Sequence, residues 1–326
     1  MKASGRRGGR VLKTVAIGSP AGLKAEVLDG ALSRAITSDL VHWCDASFWS
    51  DCPSRRRGEF PAGSVVFCKI DEVMRFFERL RMTRRRIVLV TGEGDLPCDA
   101  WRQSYLPENV LQWFATNVTS EHTRVCAVPL GLGPPNDPVT LREEELVAGR
   151  VPPRERTGWL YVNFRAATNP AIREPVMRRF AALAREGGDW ITVAGSKSRM
   201  DYLSEMSRHR FVLCPPGNGV DTHRMWEAMV AGVIPIVLRS VAMKPFEALP
   251  LLLVDSYDEV TRPLLCAAWE RLQFDPEQQP LLHERYWQSK VREARDRVSA
   301  IPQLEWLQWF GESIRYSSGM LRRRLS

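Results

Sequence analysis

The stretch that decides the fold is RFVLCPPGNGVDTHRMWEAMVAGVIPIVL, residues 210–238. Its first apolar run, 211–214, stops at Pro215, Pro216 and Gly217, which is how a buried strand ends in a loop. Asp221 and Thr222 are residue types that favour a helix N-cap, and a short helix follows them. Gly232 closes that helix before a second apolar strand over 233–238. Strand, loop, helix and strand in succession make the repeating unit of a parallel sheet.

The same rhythm spreads in both directions. Toward the amino terminus, 11–17 reads as a strand and 24–40 has helical spacing, 65–70 is a strand, 71–80 a helix and 86–91 the most apolar strand of the first half. Residues 110–116 read as either a short helix or a strand, and 123–131 ends a last strand at Pro129 and Gly131. Residues 131–157 combine Pro, Gly and a charged run, and form the best domain boundary. Beyond it come a strand at 160–164, a helix at 172–185, a strand at 190–195 and a helix at 202–207. The expected class is therefore α/β, two Rossmann-like domains with parallel sheets facing a cleft: 1–145, 158–300, and a terminal helix over 301–326 that packs back toward the first domain. No repeat of solenoid period is found.

Composition agrees with a folded two-domain protein. The chain has 326 residues, 44% hydrophobic and 26% charged, with a formal charge of +8. That charge suits phosphate-bearing ligands, nucleic acid or anionic lipid alike. Much of it lies at Arg6, Arg7, Arg10, 55–57, 84–86 and 322–324, stretches more often solvated than functional. Seven cysteines without a C-x-x-C pair speak against a disulfide scaffold or a structural zinc site, and for a reducing compartment. Without a signal peptide or membrane span, the expected location is cytoplasmic, with peripheral contact at the inner membrane face through the basic clusters.

The chemistry concentrates in the opening stretch. Pro216, Gly217, Asn218 and Gly219 make a loop whose backbone can approach a ligand closely, and the helix beginning near Asp221 and Thr222 points free N–H groups at it. Arg224, in the first turn, offers a fork for phosphate. Glu227, three residues on and on the same face, is placed for ribose hydroxyls. The plainer alternatives are a cap at Asp221 or Thr222, a solvated His223 and a surface ion pair between Arg224 and Glu227. Asn163 and Arg165 follow one strand, Ser196 and Lys197 another, so these four face the same crevice.

Residues 210–238, with C-P-x-G, R-x-x-E-A and G-x-I-P-I in order, resemble the nucleotide-sugar segment of exostosin-like GT-B glycosyltransferases. Weaker similarity lies in 113–117 with 128–131, in 160–164 and in 249–254. The resemblance implies inverting transfer from a nucleotide-diphosphate sugar, with Glu227 on the ribose and Arg224 near the diphosphate. Animal members of that group carry a membrane anchor, which this sequence lacks, so the acceptor identity does not carry over.

Inversion needs a base for the acceptor hydroxyl. Glu93 and Asp95, on the Gly-flanked loop after the strand at 86–91, are the leading candidates, ahead of Asp45 and His42. No ligand cluster points to a metal, and the helix terminus with Arg224 can take its place electrostatically. The expected partners are a nucleotide sugar and a glycan or other hydroxyl-bearing acceptor, with no metal and no other cofactor. Nucleic-acid binding lacks a reading helix or stacked aromatic strands. Other Rossmann-type phosphosugar enzymes lack G-x-G-x-x-G and the P-loop motif, and a non-catalytic sugar-nucleotide binder is the remaining alternative.

Overall fold

The computed structural model describes residues 34–48, 60–134 and 137–300. The strand expected at 11–17, the terminal helix over 301–326 and the basic clusters at Arg6, Arg7, Arg10, 55–57 and 322–324 lie outside the described residues.

The first sheet is built from β1 (Ala46–Phe48), β2 (Val65–Lys69), β3 (Ile87–Gly92), β4 (Val110–Ala115) and β5 (Val125–Ala127). All are parallel and lie in chain order. Helix α1 (Val73–Arg81) links β2 to β3, and α2 (Ala100–Ser104) links β3 to β4. Residues 110–116, ambiguous by sequence, settle as a strand because β3 and β5 offer ladder partners on either side.

After α3 (Glu143–Ala148) the chain enters the second sheet with β6 (Gly158–Val162), α4 (Pro170–Arg185), β7 (Ile191–Val193), α5 (Arg199–Ser207) and β8 (His209–Leu213). It continues through α6 (His223–Val230), β9 (Ile234–Leu238), β10 (Leu252–Val254) and α7 (Arg262–Leu272). The spatial order is β10-β9-β8-β6-β7, again all parallel. From β6 the chain moves first to one side and then, through β8, to the other. The point of reversal lies between β6 and β8, and in such sheets the loops at the carboxyl ends part there to leave a crevice.

Strand alternation divides the core. On β2, Val66 and Cys68 pack with Phe76, Phe77 and Leu80 of α1, whereas Val65 and Phe67 face the opposite side. That opposite side is covered by α8 (Glu284–Ser299), which lies against β3 and β4. In the second sheet, Leu160 and Val162 pack against Val176 and Phe180 of α4, and Tyr161 and Val212 face α5 and α6. The α8 side of the first sheet and the α6 side of the second belong to one continuous apolar cluster. Trp226 of α6, Phe246 and Trp287 of α8 run through it edge to face, with centroids 5.2 and 6.0 Å apart.

The described part of the expected helix at 24–40 is not helical. Ala35 bridges His283 and Thr37 bridges Leu132, so 35–37 is drawn out along the joint between the sheets, where tertiary pairing overrides a weak helical period. Cys68 and Cys214 are core residues, as their apolar neighbours suggest.

Trp287 fills the space between α8 and Phe246 and donates from Nε1 to Leu281 O at 2.9 Å. Trp287→Ala should lower stability by about 3–5 kcal/mol, read as a shift of the urea midpoint followed by circular dichroism. A midpoint within experimental error of wild type would show that α8 does not depend on this ring.

Candidate functional site

The reversal point is flanked by the segment after β6 and by the loop 214–222 after β8. Asn163 donates from Nδ2 to Gly195 O at 2.7 Å, tying the carboxyl end of β6 to that of β7. Arg165 and Ser196 are exposed beside it. Lys197 is already engaged, its Nζ lying 2.7 Å from Glu205 Oε1.

The loop is shaped by two Gly contacts. A Cβ on Gly217 would sit 2.9 Å from Arg173 Nη2, and one on Gly219 would sit 2.5 Å from Asn117 Nδ2, so each position requires glycine for close approach. Below the loop, Asn169 Nδ2 holds Gly217 O at 2.9 Å, and Arg173 donates to Pro216 O and Pro215 O.

Helix α6 starts at His223 with Thr222 at its N-cap, and the Thr222 side chain makes no capping hydrogen bond. The Met225 N–H closes on Thr222 O at 3.0 Å, and the N–H groups of His223 and Arg224 ahead of it carry the positive end of the helix. Arg224 is half-buried beside it, its guanidinium carbon 5.9 Å from the Tyr202 ring centroid, and its buried Nε has no hydrogen-bond partner. Tyr202 donates its hydroxyl to Glu227 Oε2 at 3.3 Å. Burial pushes the Glu227 carboxyl above its ordinary range, against the opposing pull of Arg224. Sequence spacing put Arg224 and Glu227 on one face, and the structure brings them together; Tyr202, from α5, carries no sequence signal.

Asp221 and His223 have different work. Asp221 is buried and is not the cap: its Oδ2 accepts from Leu130 N and its Oδ1 from Trp226 Nε1, both at 2.8 Å. Its own N–H donates to Asn117 Oδ1 at 3.0 Å. His223 lies with Nδ1 2.8 Å from Gly131 O. Asp221, expected at the ligand or as a cap, and His223, expected at the ligand or in solvent, join α6 to the segments after β4 and β5. Asn117 has φ of +51°, a conformation asparagine tolerates better than most residues, and sequence reading passed over it as a site residue.

Across the crevice, the loop after β3 is pressed onto the end of β2, where a Cβ on Gly94 would lie 2.6 Å from Asp71 Oδ2. Glu93, at φ +51°, is directed to Lys69, with Oε2 3.4 Å from Nζ. Asp95 reaches the loop after β8 of the second sheet: Asn218 donates from Nδ2 to its Oδ2 at 2.9 Å. Of the two fallback candidates, Asp45 accepts from Val65 N and pairs with Arg295, and His42 pairs with Glu284. These contacts tie the segment before β1 to α8 and to the start of β2.

No family model matches the chain, and no curated protein matches it. Among solved structures, it is similar to the pneumococcal O-GlcNAc transferase GtfA in complex with UDP and GlcNAc, at 13% identity and a TM-score of 0.38. That match covers 74% of this chain and 58% of GtfA, so the chain spans little more than half of that protein. The trehalose-6-phosphate synthase of Burkholderia multivorans matches at 11% identity and a TM-score of 0.35, over 80% of this chain and 72% of its own. The spinosyn rhamnosyltransferase SpnG complexed with spinosyn aglycone matches at 13% and 0.33, over 75% and 73%. Among the described residues no helix is long and apolar enough to cross a membrane.

Burial raises the Asp221 carboxyl to about 6, even though Leu130 and Trp226 donate to it. Its folded-state value thus exceeds the unfolded one near 3.9, so the folded state holds the proton more tightly. The contribution is fully present below about pH 4 and is lost as pH rises through 6. Asp221→Asn cannot accept from both donors, because one amide atom is itself a donor, and should cost about 1–3 kcal/mol. In urea titrations from pH 4 to 7, the stability difference between wild type and Asp221→Asn should shrink as pH rises. A constant difference would mean that Asp221 does not titrate in this window.

Proposed function

We propose that this chain transfers a sugar from a nucleotide-diphosphate-sugar donor to an acceptor hydroxyl, as a two-domain enzyme of the GT-B type, with inversion and without a metal. The observation that carries the reading is the uncapped start of α6 at the reversal point of a parallel sheet, with Arg224 and Glu227 on one face. The exostosin-like pattern of residues 210–238 supports the same assignment; the acceptor remains a hydroxyl of unspecified class.

In this reading the donor diphosphate lies against the first turn of α6, and the Arg224 fork takes its oxygens. The Glu227 carboxylate, oriented by Tyr202, accepts from ribose hydroxyls. Asp95 takes the acceptor proton. Of the two carboxylates on its loop it is the one in contact with the donor loop, through Asn218, while Glu93 is engaged with Lys69. The acceptor oxygen then attacks the anomeric carbon from the face opposite the diphosphate, and the bond from that carbon to the phosphate oxygen breaks. The negative charge that develops on the leaving diphosphate is stabilised by the α6 N–H groups and Arg224, which stand where other transferases use a metal. The chain is read as acting in the cytoplasm.

Two measurements test the reading. A thermal-shift panel of UDP, GDP, CDP, ADP and dTDP should single out at least one ligand, worth ~2.7 kcal/mol at 100 times its dissociation constant. By calorimetry, Glu227→Gln and Arg224→Lys should each weaken that ligand by about 1.5–3 kcal/mol, the worth of a charge-assisted hydrogen bond. Wild-type affinity in both variants would remove α6 from the donor site.

Asp95→Asn should slow turnover by about 10²–10⁴-fold with donor affinity nearly unchanged, and Glu93→Gln should have a much smaller effect. Wild-type turnover in Asp95→Asn would place the base elsewhere.

A further inference from the structure

We infer that Arg173 is a positioning residue for the donor loop, and that its buried positive charge makes this loop select the diphosphate rather than the nucleoside. The inference rests on the nucleotide-diphosphate reading above and deepens it.

Arg173, in the first turn of α4, is 5% exposed, and its guanidinium spends its donors on backbone carbonyls. Nε donates to Pro216 O at 2.8 Å, Nη2 to Pro215 O at 3.0 Å and Nη1 to Arg165 O at 3.1 Å. One planar fork thus joins the two loops that flank the reversal point, the one after β6 and the one after β8. Its carbon lies 5.7 Å from the Phe164 ring centroid, a favourable cation–ring contact. Asn169, at the N-cap of the same helix, draws in Gly217 O. In a trans peptide the C=O and the following N–H point opposite ways. With Pro216 O and Gly217 O drawn toward α4, the N–H of Asn218 is turned away from it, while that of Gly217 closes the loop on Gly219 O at 3.0 Å. Gly217 is pressed on the guanidinium itself, leaving no room for a side chain between charge and loop.

The electrostatics have the same direction. Among the described residues Arg173 has no ion-pair partner, and buried charges are ordinarily paired. Carbonyl dipoles solvate it without cancelling its charge. Burial first, and the Arg224 charge second, push it down to about 10, so it stays protonated at neutral pH. Two positive groups, Arg224 at the crevice and Arg173 behind the loop, therefore act on the same small region. An anion there offsets a cost that the folded protein otherwise carries alone, and the benefit grows with the charge of the ligand.

The test is calorimetry on the full chain with the best diphosphate of UDP, GDP, CDP, ADP and dTDP, its monophosphate and its nucleoside. In Arg173→Gln the diphosphate should weaken by about tenfold or more and the monophosphate by less, with the nucleoside changed by under about twofold. Arg173→Lys keeps the charge and loses the three-carbonyl grip. It should recover most of the diphosphate-over-nucleoside preference while its kcat stays below wild type. Equal weakening of all three ligands in Arg173→Gln would reduce the residue to a structural prop and overturn the proposal, as would unchanged affinities. So would a lysine variant no more selective than the glutamine one. If Arg173→Gln does not fold, the preference in Arg173→Lys decides alone: kept, it supports the proposal, and lost, it overturns it. A wild-type chain that binds none of the five diphosphates fails the proposed function first, which separates that failure from this one.

Discussion

Asp221 is the contact on which the arrangement of the crevice depends. A buried carboxylate must be satisfied or it is expelled, and Asp221 is satisfied by one donor from the side of each sheet: Leu130 N beyond β5 and Trp226 Nε1 on α6. Its own N–H returns the link through Asn117, and His223 adds another through Gly131. The amino end of α6 is therefore referenced to the first sheet as firmly as to its own. Since the uncapped N–H groups, Arg224 and Glu227 all belong to this helix, their direction relative to the loop bearing Asp95 follows from these few bonds.

The opposite end of α6 is held by another buried cation. Arg156 donates to Gly232 O at 2.7 Å and to Ala231 O at 3.2 Å, where the helix's own carbonyls lack partners. A positive charge at the carboxyl end of a helix complements its dipole. Arg156 and Arg173 thus do related work on carbonyls, one past the end of α6 and one under the loop before it. Between them the β8–α6–β9 unit is fixed without any of the residues that face the crevice.

The apolar core supports the same geometry. The cluster that contains Val90 and Phe114 of the first sheet also contains Trp226 and Met229 of α6 and Trp287 of α8. Close-packed interiors deform little, so the relation of the sheets in this region is set by packing as well as by the polar links. Contacts nearer the crevice are more exposed: the bond between Asp95 and Asn218 lies at the surface, where water competes for both partners.

Much of the layout is legible in the residues themselves. The apolar runs at 86–91, 211–214 and 233–238, with their Gly and Pro stops, determine strands, and the helices between them determine a parallel sheet, because both signals are local in the chain. Arg224 and Glu227 share a face by helical spacing alone. Tertiary structure decided what depends on distant partners. Residues 35–37 are extended because Leu132 and His283 pair with them, and 110–115 is a strand because β3 and β5 flank it. Asp221 looks like a cap in sequence, yet its two donors stand 91 and 5 residues away and only the fold delivers the first. Arg173 looks like one more basic residue on a helix. That it is buried under the loop before α6 follows from the order β7-β6-β8, which brings α4 and the 214–222 loop side by side, and no local pattern encodes strand order.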